Sequence, residues 1–324
     1  MVLDKLNLLR IFSKPQQFNK NNPPLFPDFK LVEFSDKSDF NKFIQDFDTY
    51  SDFNFNSFFS WDTEHKHKLS QLNGNLILKF ADYVTGEPFY SLIGTMDIDD
   101  TLEALLDLSE KQEFRPILKL IPEITVNAIK DTRAFTVEED LDNFDYIFSL
   151  SELSELRGNR FKSKRRAAIR CATEDDIKIK DESDNLNITQ SILEVSKKWE
   201  DSKKQNGKAV DMEREFIAIQ RILENSTQQE SLKITCARRG GELVGFSIDE
   251  LLPKKYVLSH YFKTLPSVTG LSEYLNMQVA IELKAAGYEH WNWEQDLGIE
   301  SLQKMKQSYR PKFRQSKFTV QKTQ

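Results

Sequence analysis

The sequence predicts a mixed α/β protein, and three observations carry that prediction. Apolar residues recur at helical spacing in several segments, short β-branched and aromatic runs bounded by Gly and Asn fill others, and the two kinds of segment alternate along the chain. With 324 residues, 39% hydrophobic and 30% charged, the chain has material for two domains or one large one. Its mean hydropathy of -0.55 is that of a soluble globular chain.

Taken in order, residues 1–30 hold Pro15, Pro23, Pro24 and Pro27 among Asn residues and read as an irregular arm. Phe40, Phe43, Ile44 and Phe47 then mark an amphipathic helix near 37–50. Residues 66–94 form a meander turned at Asn73-Gly74, a dipeptide that tolerates positive φ. Asp100 and Glu103 make a capping box ahead of Leu102, Leu105, Leu106 and Leu108, and strands follow at 117–121 and 145–149. Ile188, Ile192, Val195 and Trp199 mark one helix, and Met212, Phe216, Ile219 and Leu223 a second. Strands at 232–237, 243–250 and 256–263 lead to a helix over 271–286 closed by Gly287, a strand at 289–295, a helix near 299–308 and a strand near 314–320. A domain boundary is expected near 170, giving a first domain over 31–170 and a second over 171–324. The second has the order ααβββαβαβ, which is compatible with an N-acetyltransferase-like fold.

Composition excludes several classes. No apolar run approaches the roughly 18 residues that span a bilayer. The N-terminus is a poor secretory signal, which places the protein in the cytoplasm. Cys171 and Cys236 are the only cysteines and cannot build a disulfide framework or a four-thiolate zinc site. His65 and His67 have no third ligand nearby, so no metal is expected. A net charge of -6 argues against wholesale nucleic-acid coating, yet the stretch from Arg157 to Arg170 has seven basic residues and no acid.

Several motifs converge on one family. Tyr146-Ile-Phe-Ser-Leu, running on through Gly158 to Lys164-Arg165, resembles the segment joining the halves of the phosphatidylglycerol lysyltransferase C-terminal domain family. Asn292-Trp-Glu294-Gln-Asp296-Leu-Gly298-Ile299, followed by Lys306, Ser308-Tyr309 and Pro311, is similar to that family's C-terminal motif. His260-Tyr-Phe-Lys263 and Phe58-Phe59-Ser60-Trp61 match two shorter patches, and the resemblance runs from about residue 40 to 320. It implies two tandem N-acetyltransferase-like domains that move an aminoacyl group from aminoacyl-tRNA onto a lipid head group or another acceptor, with no metal or redox cofactor and with peripheral lipid contact in some members. Phe262 stands where the family has an acid, and Gln303 where it has arginine, with Lys304 beside it.

The residues suggest roles to match. Glu294 and Asp296, two apart on a strand, would face one side and hold the α-ammonium of a donor. Lys306 at the end of a helix would meet phosphate or a developing oxyanion, with the Tyr309 hydroxyl as a further donor. His260 suits proton removal from an acceptor, and strict alternation puts it on the opposite strand face from Lys263. Lys263 and Lys304 are further substrate contacts, and Arg160, Lys164, Arg165 and Arg166 would meet tRNA phosphates. Two rival readings are an acyl-CoA-dependent N-acyltransferase, weakened because Ser267-Val-Thr-Gly270-Leu-Ser272 lacks a Gly-rich pyrophosphate turn, and a catalytically silent binding module.

Overall fold

The computed structural model describes residues 23–323 except 84, 175, 206–211 and 227–228. Most of the expected N-terminal arm therefore lies outside the described residues. The part within them lays Leu25 beside Gln71 and enters β1 (Lys30–Leu31). After α1 (Lys37–Ile44) and α2 (Phe55–Ser60) come β2 (Lys68–Leu72), β3 (Asn75–Ala81) and β4 (Pro88–Ile93), an antiparallel sheet in the order β1-β2-β3-β4. Its tight turn is the expected one, with φ of 52° at Asn73 and 80° at Gly74.

Helix α3 (Ile98–Lys111) starts behind Asp97 in a left-handed conformation, ahead of the expected capping box. Next are β5 (Leu118–Pro122), α4 (Glu123–Val126), β6 (Phe135–Glu139), β7 (Asp145–Ser149) and α5 (Leu150–Glu155). Most of the basic stretch forms α6 (Lys162–Glu174). Strand β8 (Ile177–Asp181), α7 (Ile188–Gln205), α8 (Glu213–Glu224), β9 (Leu232–Arg239), β10 (Glu242–Leu251), β11 (Tyr256–Thr264) and α9 (Leu271–Ala285) follow. The chain ends with β12 (His290–Asn292), α10 (Glu300–Ser308), β13 (Phe313–Gln315) and β14 (Lys317–Lys322). The single strand expected near 314–320 is thus two strands, parted at Ser316.

That parting exchanges strands between the halves. The larger sheet runs β13-β7-β12-β11-β10-β9-β8, so β7 from the first half sits between two strands of the second. A third sheet runs β5-β14-β6, so the last strand of the chain sits between two strands of the first half. No cut at residue 170 separates them: that position lies inside α6, and one apolar core runs from Tyr146 and Phe148 through Phe161 to Trp291 and Tyr309.

The two exchanged strands begin at one ion pair. Lys317, first residue of β14 and fully buried, donates to Asp145 Oδ1 at 2.7 Å and to Asp52; Asp145 is the first residue of β7. Ser51 adds two bonds to Asp145, from its amide at 2.8 Å and its hydroxyl at 2.6 Å, and its oxygen accepts from Lys317 at 3.1 Å. Removing the cation leaves two buried carboxylates facing each other. Lys317→Met is expected to cost about 3–5 kcal/mol in urea unfolding. A loss below about 1 kcal/mol would show that the pair does not hold the strands.

Candidate functional site

The site is built where the second sheet meets α2 of the first half. Asn54 caps α2, its side chain accepting from Ser57 N at 3.0 Å, and so fixes the first turn. Ser57 and Ser60, three apart, share one helix face. That face meets β11 at a bulge: Ile248 opposes Tyr261 and Asp249 opposes Ser259, which leaves His260 as the inserted residue. The bulge breaks strict alternation, so both His260 and Tyr261 reach α2, with Ser57 Oγ 3.3 Å from His260 Nδ1 and Ser60 Oγ 3.1 Å from the Tyr261 hydroxyl. Lys263, two residues past Tyr261, therefore shares the face it was expected to oppose. It pairs there with Glu215 at 2.7 Å, over the Trp199 ring.

Behind His260 lies Glu250, buried near the end of β10. Its Oε2 is 3.1 Å from His260 Nε2 and accepts from Asn54 Nδ2 at 2.8 Å, while Lys37 approaches Oε1 at 3.5 Å. Burial opposes its ionisation, but the hydrogen bond and charge of His260, with Lys37 and Asn54, hold the carboxyl down to about 2. In front of His260 lies Glu294, its Oε1 3.4 Å from Ser57 Oγ and 3.9 Å from Nδ1. Burial pushes Glu294 up to about 7 against the pull of His260 and Lys306.

The backbone carrying Glu294 leaves the strand early. β12 stops at Asn292, Glu294 has φ of 58°, and its amide donates to Asn292 Oδ1 at 2.7 Å. Lys306 stands behind this turn. Its ammonium donates to the carbonyls of Trp293 at 2.6 Å, Glu294 at 3.2 Å and Gln295 at 2.6 Å, so its three protons are committed to the backbone. Burial lowers Lys306 to about 8 despite Glu294 and Asp145. It positions Glu294 and leaves no donor for an oxyanion or a phosphate.

Left-handed backbone also separates the two acids expected to act together. Asp296 accepts from the Tyr146 hydroxyl at 2.5 Å and from Gly298 N at 2.9 Å, away from the Glu294–Ser57–His260 group. Gly298 itself is required: φ is 70°, and a Cβ there would lie 2.8 Å from Asp142 Oδ2. Tyr309 is buried against Trp293, and its hydroxyl accepts from Asn276 at 3.3 Å. Lys304 is exposed and paired with Glu300.

The basic stretch is divided as well. Lys164 lies 3.5 Å over the Tyr309 ring, Arg165 donates to the carbonyls of Leu156 and Gly158, and Arg160 pairs with Glu152. Lys162 and Arg166 remain exposed. His67 is buried against Phe58, with Nδ1 2.9 Å from its carbonyl oxygen, in the loop before β2. Among the described residues no group of three or more His, Cys, Asp or Glu is placed to hold a metal ion, and no helix is long and apolar enough to cross a membrane.

Sequence reasoning missed Ser57, Asn54 and Glu250. A signal existed for the last, since Asp249-Glu250 closes an otherwise apolar strand.

Residues 45–321 match the family model described as phosphatidylglycerol lysyltransferase, C-terminal. The chain belongs to that family. Its fold is similar to a conserved protein of unknown function from Bacteroides thetaiotaomicron VPI-5482, with a TM-score of 0.78, 22% identity, and coverage of 91% of this chain and 99% of that one. It is also similar to L-PGS from Bacillus licheniformis, with a TM-score of 0.58, 12% identity and coverage of 88% and 91%. FemX aligns with a TM-score of 0.54 at 10% identity, covering 90% and 96%. No curated protein matches the sequence.

The raised affinity of Glu294 for its proton makes a thermodynamic prediction. The folded protein binds this proton more tightly than the unfolded chain, so the stability it contributes is fully present below about pH 4.5 and is lost as pH rises to about 7. Glu294→Gln removes that dependence. Over this window the parent should lose about 3 kcal/mol relative to the variant in urea unfolding. Parallel pH profiles would contradict the desolvated setting of the Glu294 carboxyl.

Proposed function

We propose that this chain is an aminoacyl transferase, that its donor is an aminoacyl-tRNA ester, and that its acceptor is a hydroxyl or amine on a lipid head group or another molecule. The observation that carries this reading is the family match over 45–321 together with a half-buried Glu294 set against His260 and Ser57. In this account Glu294 ionises to receive the donor's α-ammonium, the role expected of it jointly with Asp296. His260, with Nε2 held by Glu250, presents Nδ1 as the proton acceptor. The ester is already activated, so the protein has to position the reactants and handle one proton, and no metal or redox cofactor is assigned. A cytoplasmic setting follows from such a donor.

The three sheets support a tandem N-acetyltransferase-like reading. Each half starts with a four-stranded antiparallel run and ends on strands that flank a strand from the other half. The acyl-CoA alternative is less well supported. The start of α9 is packed on α6, where a Cβ at Gly270 would lie 2.4 Å from the Ala167 carbonyl oxygen.

The test is incubation with radiolabelled aminoacyl-tRNAs and a cell extract. Label should pass to lipid, peptide or small molecule, and His260→Ala should slow this about 100-fold or more. Consumption of acetyl-CoA in place of aminoacyl-tRNA would refute the reading.

Lys164 and Arg165 are half-buried, so the exposed Lys162 and Arg166 test tRNA binding without disturbing the fold. Replacing both by Ser should lower the salt slope of tRNA binding by about 0.7–0.9 for each phosphate that is no longer neutralised. An unchanged slope would remove α6 from the interface.

A further inference from the structure

We propose that Ser57, His260 and Glu250 form a nucleophilic triad, and that Ser57 carries the acyl group covalently between donor and acceptor. The inference rests on the transferase reading and adds a step that the reading does not require.

The geometry has the three parts that activate a serine. Ser57 Oγ is 3.3 Å from His260 Nδ1, and His260 Nε2 is 3.1 Å from Glu250 Oε2. An ionised Glu250 can only accept, so in the neutral imidazole Nε2 carries the proton and Nδ1 is left as the acceptor for the serine hydroxyl. Asn54 ties two members together, its amide nitrogen donating to Glu250 and its oxygen accepting from Ser57 N. Both ends of the triad are thus fixed by one side chain.

A further group suits an aminoacyl ester. Glu294 Oε1 lies 3.4 Å from Ser57 Oγ, and the α-nitrogen of an acyl group on that oxygen would be two bonds beyond the carbonyl carbon, within reach of this carboxylate. At the other end of the group, the Asn56 side-chain oxygen accepts from Lys37, the ammonium that also faces Glu250.

The step balances. Ser57 Oγ bonds to the ester carbonyl carbon, and its proton passes to His260 Nδ1. The tetrahedral centre then breaks its bond to the leaving alcohol, which takes that proton. The acceptor hydroxyl or amine attacks the acyl-serine next, giving its proton to His260, and Ser57 leaves with it. Water in place of the acceptor would make the protein an esterase.

A fluorophosphonate probe tests the triad without knowledge of donor or acceptor. Mass spectrometry of the full chain and its peptides should find one adduct, on Ser57. It should be absent in Ser57→Ala, slowed at least tenfold in His260→Ala and Glu250→Gln, and unchanged in Ser60→Ala, with circular dichroism confirming that each variant folds. An unlabelled parent, or labelling of Ser57 at the parent's rate in His260→Ala, would overturn the proposal. A labelled protein that transfers no aminoacyl group keeps the triad and defeats the transferase reading. Aminoacyl transfer by Ser57→Ala at the parent's rate does the reverse.

Discussion

Lys317 carries its charge with no exposure to solvent, between Asp52 and Asp145, and the rest of the structure hangs from that contact. Charges are costly to bury singly and tolerable when matched and hydrogen-bonded, so the group enforces its own geometry. That geometry brings together the starts of β7 and β14, the strands each half contributes to the other's sheet. Asp145 also accepts from Asn292 Nδ2 at 3.0 Å, and Asn292 in turn accepts from the amide of Glu294. Two hydrogen bonds thus connect the buried ion pair to the backbone of Glu294.

From the opposite side, Lys306 gathers the carbonyls of residues 293–295. The turn between β12 and α10 is therefore held by a side chain in front and one behind, which permits φ of 58° at Glu294, where a non-glycine residue is strained. Strain of this kind persists where surroundings over-determine the backbone. The two burials have opposite electrostatic effects, raising Glu294 to about 7 and lowering Lys306 to about 8.

Much of the secondary structure was legible because it is written in short-range patterns. Phe40, Leu102, Leu105, Ile192 and Ile219 lie on buried helix faces, as their spacing requires, and Asn73-Gly74 forms its turn. Strand exchange was not legible: nothing local tells Asp145 that its strand belongs with residues 290–292, or Lys317 that its strand returns to the first half. The chemistry at 294–296 misled for a related reason. Alternation in a strand puts Glu294 and Asp296 on one face, but the strand ends at Asn292, and the contacts that end it come from Lys306 and Asn292, both read for other roles or for none. At His260 the bulge had the same effect, since one inserted residue changes which face follows. Ser57 and Glu250 stayed hidden because a serine on a short helix and an acid at a strand end are ordinary until the fold lays them against a histidine about 200 positions from one of them.

The most direct test is a crystal structure with a hydrolysis-resistant amide analogue of the aminoacyl-adenosine end of a charged tRNA. The account predicts the α-ammonium on Glu294 and the carbonyl carbon beside Ser57 Oγ and His260. An analogue bound elsewhere, with Glu294 untouched, or coenzyme A seated at the start of α9 would contradict it.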